Sequence, residues 1–180
     1  MALNSTVRKL DLSVADMDRG YYASHSLTLA QHPSETDLRL MLRVLAFGLF
    51  AHEQLEFGRG LSTDDEPDLW QRELDGTIVR WIDLGMPDDK RIRKACGRAR
   101  QVVIITYGGS KAQVWLERQR ASLLRNANLT VLNIRDAQAK ELSALIARSM
   151  GISLSIQDGQ VLASGDTSSA TLEPLVIQTP

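Results

Sequence analysis

The chain has 180 residues, 43% of them hydrophobic and 24% charged, with a formal net charge of −1. That length suits one domain, residues 1–180, with a sizeable core, and near-neutrality excludes a general polycation, so any nucleic-acid contact must come from local segregation of charge. Cys96 is the sole cysteine, which excludes an internal disulfide and fits a reducing compartment. No signal-like apolar run opens the sequence, and the greasiest stretch, LMLRVLAFGLFA, contains Arg43 and is too short to span a bilayer. The expectation is a cytoplasmic protein without a membrane partner.

Two alternating runs come first. VRKLDLSVAD sets Leu10, Leu12 and Val14 on one face, and YYASHSLTLAQ sets Leu27 and Leu29 in phase after a turn near Asp18-Arg19-Gly20; period two predicts strands. Ser34 then reads as an N-cap. A helix is predicted over 35–55, with Leu38, Met41, Leu42, Leu45, Leu49 and His52 on one stripe and Glu53 at its margin near the helix end. The segment 64–85 reads as a hairpin around Asp75-Gly76, which suits a two-residue type I′ turn. Paired positions then sum to 151, so Trp70 faces Trp81 and Asp68 faces Asp83. Like charges directly opposite repel, and such a pair calls for a cation or a basic neighbour.

Pro87, Asp88 and Asp89 open a second helix, with Ile92, Ala95, Cys96 and Ala99 inward. QVVIITYGG is a central strand, SKAQVWLERQRASLLRNA a helix and LTVLNI a strand, a unit that implies a parallel pair. DAQAKELSALIARSM is a further helix begun by Asp136. GISLSIQDGQVLAS repeats the hairpin signal at Asp158-Gly159, GDTSSA is a loop, and TLEPLVIQ a last edge strand. The fold class expected is α/β, an α+β mixed sheet with helices on its faces.

Two constellations can carry chemistry. Glu53, Asp68 and Asp83 are carboxylates of the kind that hold Mg²⁺ or Mn²⁺, an ion that generates a hydroxide nucleophile and stabilises phosphoryl charge. From Lys90 to Arg100, six of eleven residues are Lys or Arg, and Lys90, Arg91, Arg93 and Lys94 are candidates for contacting nucleic-acid phosphates. Against the first stands a solvated or Arg-paired acid cluster, with Arg72 on the same hairpin face as a candidate partner. Against the second, Lys90 and Lys94 project away from Ile92, on the solvated side of the helix. YGGSK lacks the spacing of a phosphate loop. The histidines show no ligand spacing, and Cys96 has no neighbouring histidine to make it a nucleophile.

The order of helix, Pro-Asp strand, hairpin, acid-bearing strand, helix and strand resembles the core of the PD-(D/E)xK nuclease superfamily. Pro67-Asp68 resembles its first motif, Asp83 its second acid, and Glu53 the acid on its first core helix. The resemblance implies a restriction-endonuclease-like core with an added N-terminal β-hairpin and C-terminal β elements. It also implies Asp68 and Asp83 on a metal, with the Leu84 carbonyl as a further ligand and Glu53 orienting water. The superfamily's lysine falls two residues after the second acid, where this chain has Gly85; in members whose lysine has moved to the next helix, the corresponding residues here would be Lys94 or Lys90. More closely, YYASHSLTLAQHPSET, FGRGLSTDDEPDLW and WIDLGMPDDKRIRKACGRA resemble the YaeQ family of small bacterial proteins, which implies a variant of the nuclease-like fold. Two functions follow: a Mg²⁺- or Mn²⁺-dependent phosphodiesterase acting on nucleic acid through Glu53, Asp68, Asp83 and Lys94, or an inactive nucleic-acid- or protein-binding regulatory module on that scaffold.

Overall fold

Alternation of buried and exposed side chains builds two long strands at the start of the chain. In β1 (Thr6–Asp16), Leu10, Leu12 and Val14 are buried while Lys9, Asp11 and Ser13 face out. β2 (Tyr21–Gln31) pairs with it antiparallel in unbroken register from Asp16↔Tyr21 to Thr6↔Gln31. The computed structural model describes residues 4–60 and 65–180; Asp64, at the start of the sequence's acidic segment, lies outside them.

α1 (Asp37–Leu49) is capped by Thr36, whose side chain accepts from the Arg39 N–H, and not by Ser34. It ends well before residue 55. Leu40 to Gly48 are all buried, Arg43 among them through its pairing with Glu35, so the helix is enclosed all round and not merely striped. Gly48 permits close packing, since a Cβ there would lie 2.1 Å from Leu154 Cδ1. His52 is exposed in the following turn, where its Nδ1 accepts from the Gln54 N–H. The expected place for it on the core stripe was wrong because the helix had already stopped.

The remaining elements are β3 (Leu55–Phe57), β4 (Leu69–Arg72), β5 (Ile78–Leu84), α2 (Asp89–Arg98), β6 (Ala99–Thr106), α3 (Ser110–Leu123), β7 (Leu129–Asn133), α4 (Asp136–Ser143), β8 (Ser149–Gln157), β9 (Gln160–Ser164), β10 (Ser169–Leu172) and β11 (Leu175–Gln178). They form two mixed sheets, not the one expected: a five-stranded sheet in the order β10-β9-β8-β1-β2, and a six-stranded sheet in the order β11-β7-β6-β5-β4-β3. The split follows from pairing. β8 lies parallel to β1, tying the C-terminal hairpin to the N-terminal one, while β5, β6 and β7 run parallel beside each other. Part of GDTSSA is strand β10, and Pro174, which has no N–H to donate, separates β10 from β11.

The chain divides into two compact units. One comprises Met1–Ala51 and Ala137–Glu173 with a short piece near residue 60; the other comprises His52–Arg59, Asp64–Asp136 and Pro174–Pro180. In the first, α1 and the inward residues of β1, β8, β9 and β10 are buried. In the second, Ile78, Trp81, Ile92, Ala95, Val102, Ile104, Leu129 and Val131 form one core, with Trp70, Cys96 and Trp115 packed against it. No helix among the described residues is long and apolar enough to cross a membrane.

Candidate functional site

The β4–β5 hairpin sets the two acids, by a route the sequence hides. Its turn is not the two-residue type I′. Gly76 N–H donates to the Glu73 carbonyl and Glu73 N–H to the Thr77 carbonyl. Only Gly76 has positive φ, at 88°. This is a three-residue connection, a type I turn closed by a glycine bulge. It pairs Arg72 with Ile78, one residue off the expected register. Val79 is then skipped, and Gln71↔Arg80, Trp70↔Trp81 and Leu69↔Ile82 follow. The bulge cancels the turn and restores the counted register as far as Leu69↔Ile82, where the ladder ends; Asp68 and Asp83 are the next residues along each strand. Trp70 and Trp81 meet edge to face at 6.4 Å between centroids.

Asp68 is 8% exposed and Asp83 3%. Two features fasten the approach to Asp68. Gly58, just past β3, donates its N–H to the Asp68 carbonyl at 2.9 Å. A Cβ on Gly58 would lie 1.9 Å from the Pro67 carbonyl oxygen. The Asp68 side chain then accepts from the Leu84 N–H through Oδ2 at 2.7 Å. Leu84, expected to offer a carbonyl to a metal, thus engages Asp68 through its amide.

Asp83 is held by a basic neighbour, but not the one expected. Arg91 donates from Nε and Nη2 to both carboxylate oxygens, each at 2.8 Å. The same Nη2 donates to the Glu66 carbonyl at 2.9 Å. The local sequence delivers this fork. Asp88, not Pro87, bounds α2, its side chain accepting from the Arg91 N–H at 2.8 Å, and that cap fixes Arg91 in the helix's first turn. Arg72 instead pairs with Glu56 at 3.0 Å and lies 4.1 Å over the Trp70 ring. Arg91, expected among the phosphate-contacting cations, is instead tied to Asp83 and to the Glu66 carbonyl. The available signal was an arginine in the first turn of a helix that directly follows the acid's strand.

The other candidates scatter. Lys94 pairs with Asp65, and that bond, with the lysine's charge, holds the exposed Asp65 carboxyl below its ordinary range. Arg93 pairs with Asp89 at 2.9 Å and Arg100 with Glu73 at 2.7 Å. Arg98 lies 5.5 Å from the Trp81 ring centroid. Lys90 is exposed. Together Asp65, Asp88, Lys90, Arg91 and Lys94 line an open cavity of about 450 Å³. Glu53 is not brought to the acids. It lines a different cavity of about 430 Å³ with Glu56, Arg72, Glu73 and Gly76, at the turn end of the hairpin. Five residues of extended chain, about 16 Å, separate Asp68 from Glu73. Helix α1 stops at Leu49, so Glu53 is carried out of the helical position the resemblance assigned it.

Gly85 also has a physical reason. Its φ is 100° and its N–H donates to the Ile105 carbonyl at 2.9 Å. A lysine there would be strained by roughly 1–3 kcal/mol. As arranged, these residues do not fit a divalent ion. Both Asp83 oxygens sit in a guanidinium fork, and no group of three or more His, Cys, Asp or Glu is placed to hold a metal among the described residues.

The class these features define is a mixed α+β protein with, among the described residues, two mixed sheets and four helices, and with two buried acids, Asp68 and Asp83, at one end of a strand hairpin. The chain belongs to the YaeQ family, whose model, described as "YaeQ protein", matches residues 1–174. It is 42% identical over 180 residues to the "Uncharacterized protein YaeQ" of Escherichia coli strain K12, covering 100% of this chain and 99% of that one. The Salmonella typhi protein of the same name is 41% identical over the same length. The crystal structure of YaeQ protein from Xanthomonas axonopodis pv. citri is similar with a TM-score of 0.96, at 54% identity over 98% of this chain and 99% of that one. That of YaeQ protein from Pseudomonas syringae has a TM-score of 0.93, at 31% identity over 98% and 97% of the two chains.

Proposed function

We propose that this protein is a binding module on a nuclease-like scaffold, with its acid pair used for fastening and not for hydrolysis. One observation carries the reading: the Arg91 fork engages both oxygens of Asp83. A buried carboxylate so paired resists surrendering its partner, because either group left alone in a low-dielectric site is costly. The cavity beside it is of mixed charge, with Asp65 and Asp88 among Lys90, Arg91 and Lys94. A phosphate chain entering there meets carboxylates. A protein segment with charges of both signs finds partners for each. The module's partner is therefore a protein.

One observation favours the second reading, a Mg²⁺- or Mn²⁺-dependent phosphodiesterase acting on nucleic acid: Asp68 and Asp83, both buried, are the residues next beyond the Leu69↔Ile82 pair that ends the hairpin ladder. That reading requires Arg91 to leave Asp83.

A panel of single- and double-stranded DNA and RNA with Mg²⁺ or Mn²⁺ separates the two, run beside calorimetric titration of each metal. The first reading expects no cleavage and no heat of binding. Metal-dependent cleavage by the wild type, lost in a folded Asp83→Ala variant, overturns it.

A further inference from the structure

The two sheets have four edges, and three of them carry the devices that keep edge strands from pairing with other chains. β3 has three residues, with Glu56 in the middle. β10 has four. β11 also has four, with a register break between Val176 and Gln178 and prolines at 174 and 180. Shortness, charge, bulges and proline are the usual means of blunting an edge. The fourth edge, β2, has none. It is eleven residues long, about 36 Å, with no bulge against β1. Its sequence, YYASHSLTLAQ, contains no Lys, Arg, Asp, Glu or Pro. Arg43 reaches the Ala30 carbonyl at 3.3 Å and covers the C-terminal end. Among the described residues, no backbone group of Tyr21 to Leu29 bonds to a segment other than β1.

We infer that β2 is a self-association edge: two copies of this chain pair antiparallel through their β2 strands, joining two five-stranded sheets into one. The occupant is a second copy because the strand complements itself. It carries no formal charge, so a two-fold pairing brings no like charges together. About an axis through Ser26, exposed Tyr22 meets the small Ala30, Ser24 meets Thr28, and Ala23 meets Leu29. His25 meets Leu27 and Tyr21 meets Gln31, so every pairing along the strand is neutral. The same patch serves both partners, so the contact closes at two copies and does not propagate.

The test is sedimentation velocity across a wide concentration range, on the full chain and on a Ser24→Lys/Thr28→Lys variant. Both side chains are exposed; the single chain loses the surface contacts of Ser24 with Ser13 and of Thr28 with Lys9, and the new lysine at 28 lies across from Lys9 in β1, a repulsion that the glutamate variant lacks. In the paired form each lysine faces another. The expected result is a wild-type dimer whose dissociation constant rises at least about tenfold, or 1.4 kcal/mol, in the variant. A Ser24→Glu/Thr28→Glu chain mixed with the lysine chain is expected to restore a mixed dimer. That restoration also shows both variants folded. A wild type that stays monomeric throughout overturns the inference, as does a dimer indifferent to the charges.

Discussion

At the scale of single residues, Arg91 governs the acid pair. Its side chain is 27% exposed while that of Asp83 is 4% exposed, so the two partners are not equivalent. Removing Arg91 strands a buried carboxylate and also frees the Glu66 carbonyl. Removing Asp83 leaves a guanidinium that can reach water. Arg91→Ala is therefore expected to cost about 3–5 kcal/mol and Asp83→Ala about 1–3 kcal/mol, read from urea unfolding. The double variant should cost less than the sum, by about 1–3 kcal/mol of coupling. Strictly additive losses would show that the fork contributes nothing as a pair. Both residues stood out in the sequence, yet their bond did not. Hairpin counting aims Asp83 at Asp68, and the basic run from Lys90 to Arg100 makes Arg91 one cation among six; neither says which strand end a helix start returns to. Cys96 was more legible, since its place on the inward stripe of α2 predicted an inert thiol. Burial pushes it from 9.0 up to about 11. The folded chain thus holds this proton more tightly than the unfolded chain. The stabilisation is complete below about pH 9 and is lost as pH rises through about 11. Alkylation by iodoacetamide should stay slow near neutrality and climb only toward pH 11. Rapid labelling of the folded protein at pH 8 would contradict this placement.

At the scale of elements, one dipeptide makes two different turns. Asp158-Gly159 has both residues at positive φ, 52° and 73°, and joins Gln157 to Gln160, as a two-residue hairpin loop requires. The Asp18 carboxylate accepts from both of its amides, at 2.7 and 2.9 Å, stabilising the tight form. At Asp75-Gly76 no such carboxylate intervenes among the described residues. The Asp75 side chain accepts from the Thr77 N–H instead, and only the glycine goes left-handed. Local sequence could not separate the cases, because the deciding group at residues 158–159 is about 140 residues away. The Trp70–Trp81 and Leu69–Ile82 pairs come out as counted only because Val79 bulges. The strand end is fixed more rigidly, by Gly58. An added Cβ would meet backbone, the Pro67 carbonyl, and not a side chain that could swing away. Gly58→Ala is expected to destabilise by about 1–3 kcal/mol and to displace Asp68 from the Leu84 amide. That amide's NMR resonance reports the loss of its 2.7 Å bond to the carboxylate. A variant of wild-type stability with an unmoved Leu84 signal would show that the Gly58 approach is not what holds Asp68.

For the whole molecule, the sequence disclosed most elements but not their partition into sheets. Strand periodicity identifies β1, β2, β8 and β9 well. Nothing local says that β8 pairs with β1 rather than joining β5 to β7, since both sets present alternating or continuous apolar residues to a core. The partition has a consequence for unfolding. Neither unit is one continuous stretch. The first needs β1 and β2 from the start of the chain and β8 to β10 from its end, while the second is closed by β11 from the last residues. Loss of the first unit's sheet frees both ends of the segment that builds the second and releases the chain leading into β11. We therefore expect one cooperative thermal transition, as for one domain over 1–180. Leu12 and Ile104, each 1% exposed, probe the two cores. Truncation to alanine should cost about 2–5 kcal/mol at either site, and for a chain of this size each kilocalorie lowers Tm by about 2–4 °C. Leu12→Ala and Ile104→Ala should then move the same single calorimetric peak down by about 5–15 °C. Two resolved peaks, with Leu12→Ala shifting one and Ile104→Ala only the other, would mean that the interleaved chain does not couple the units.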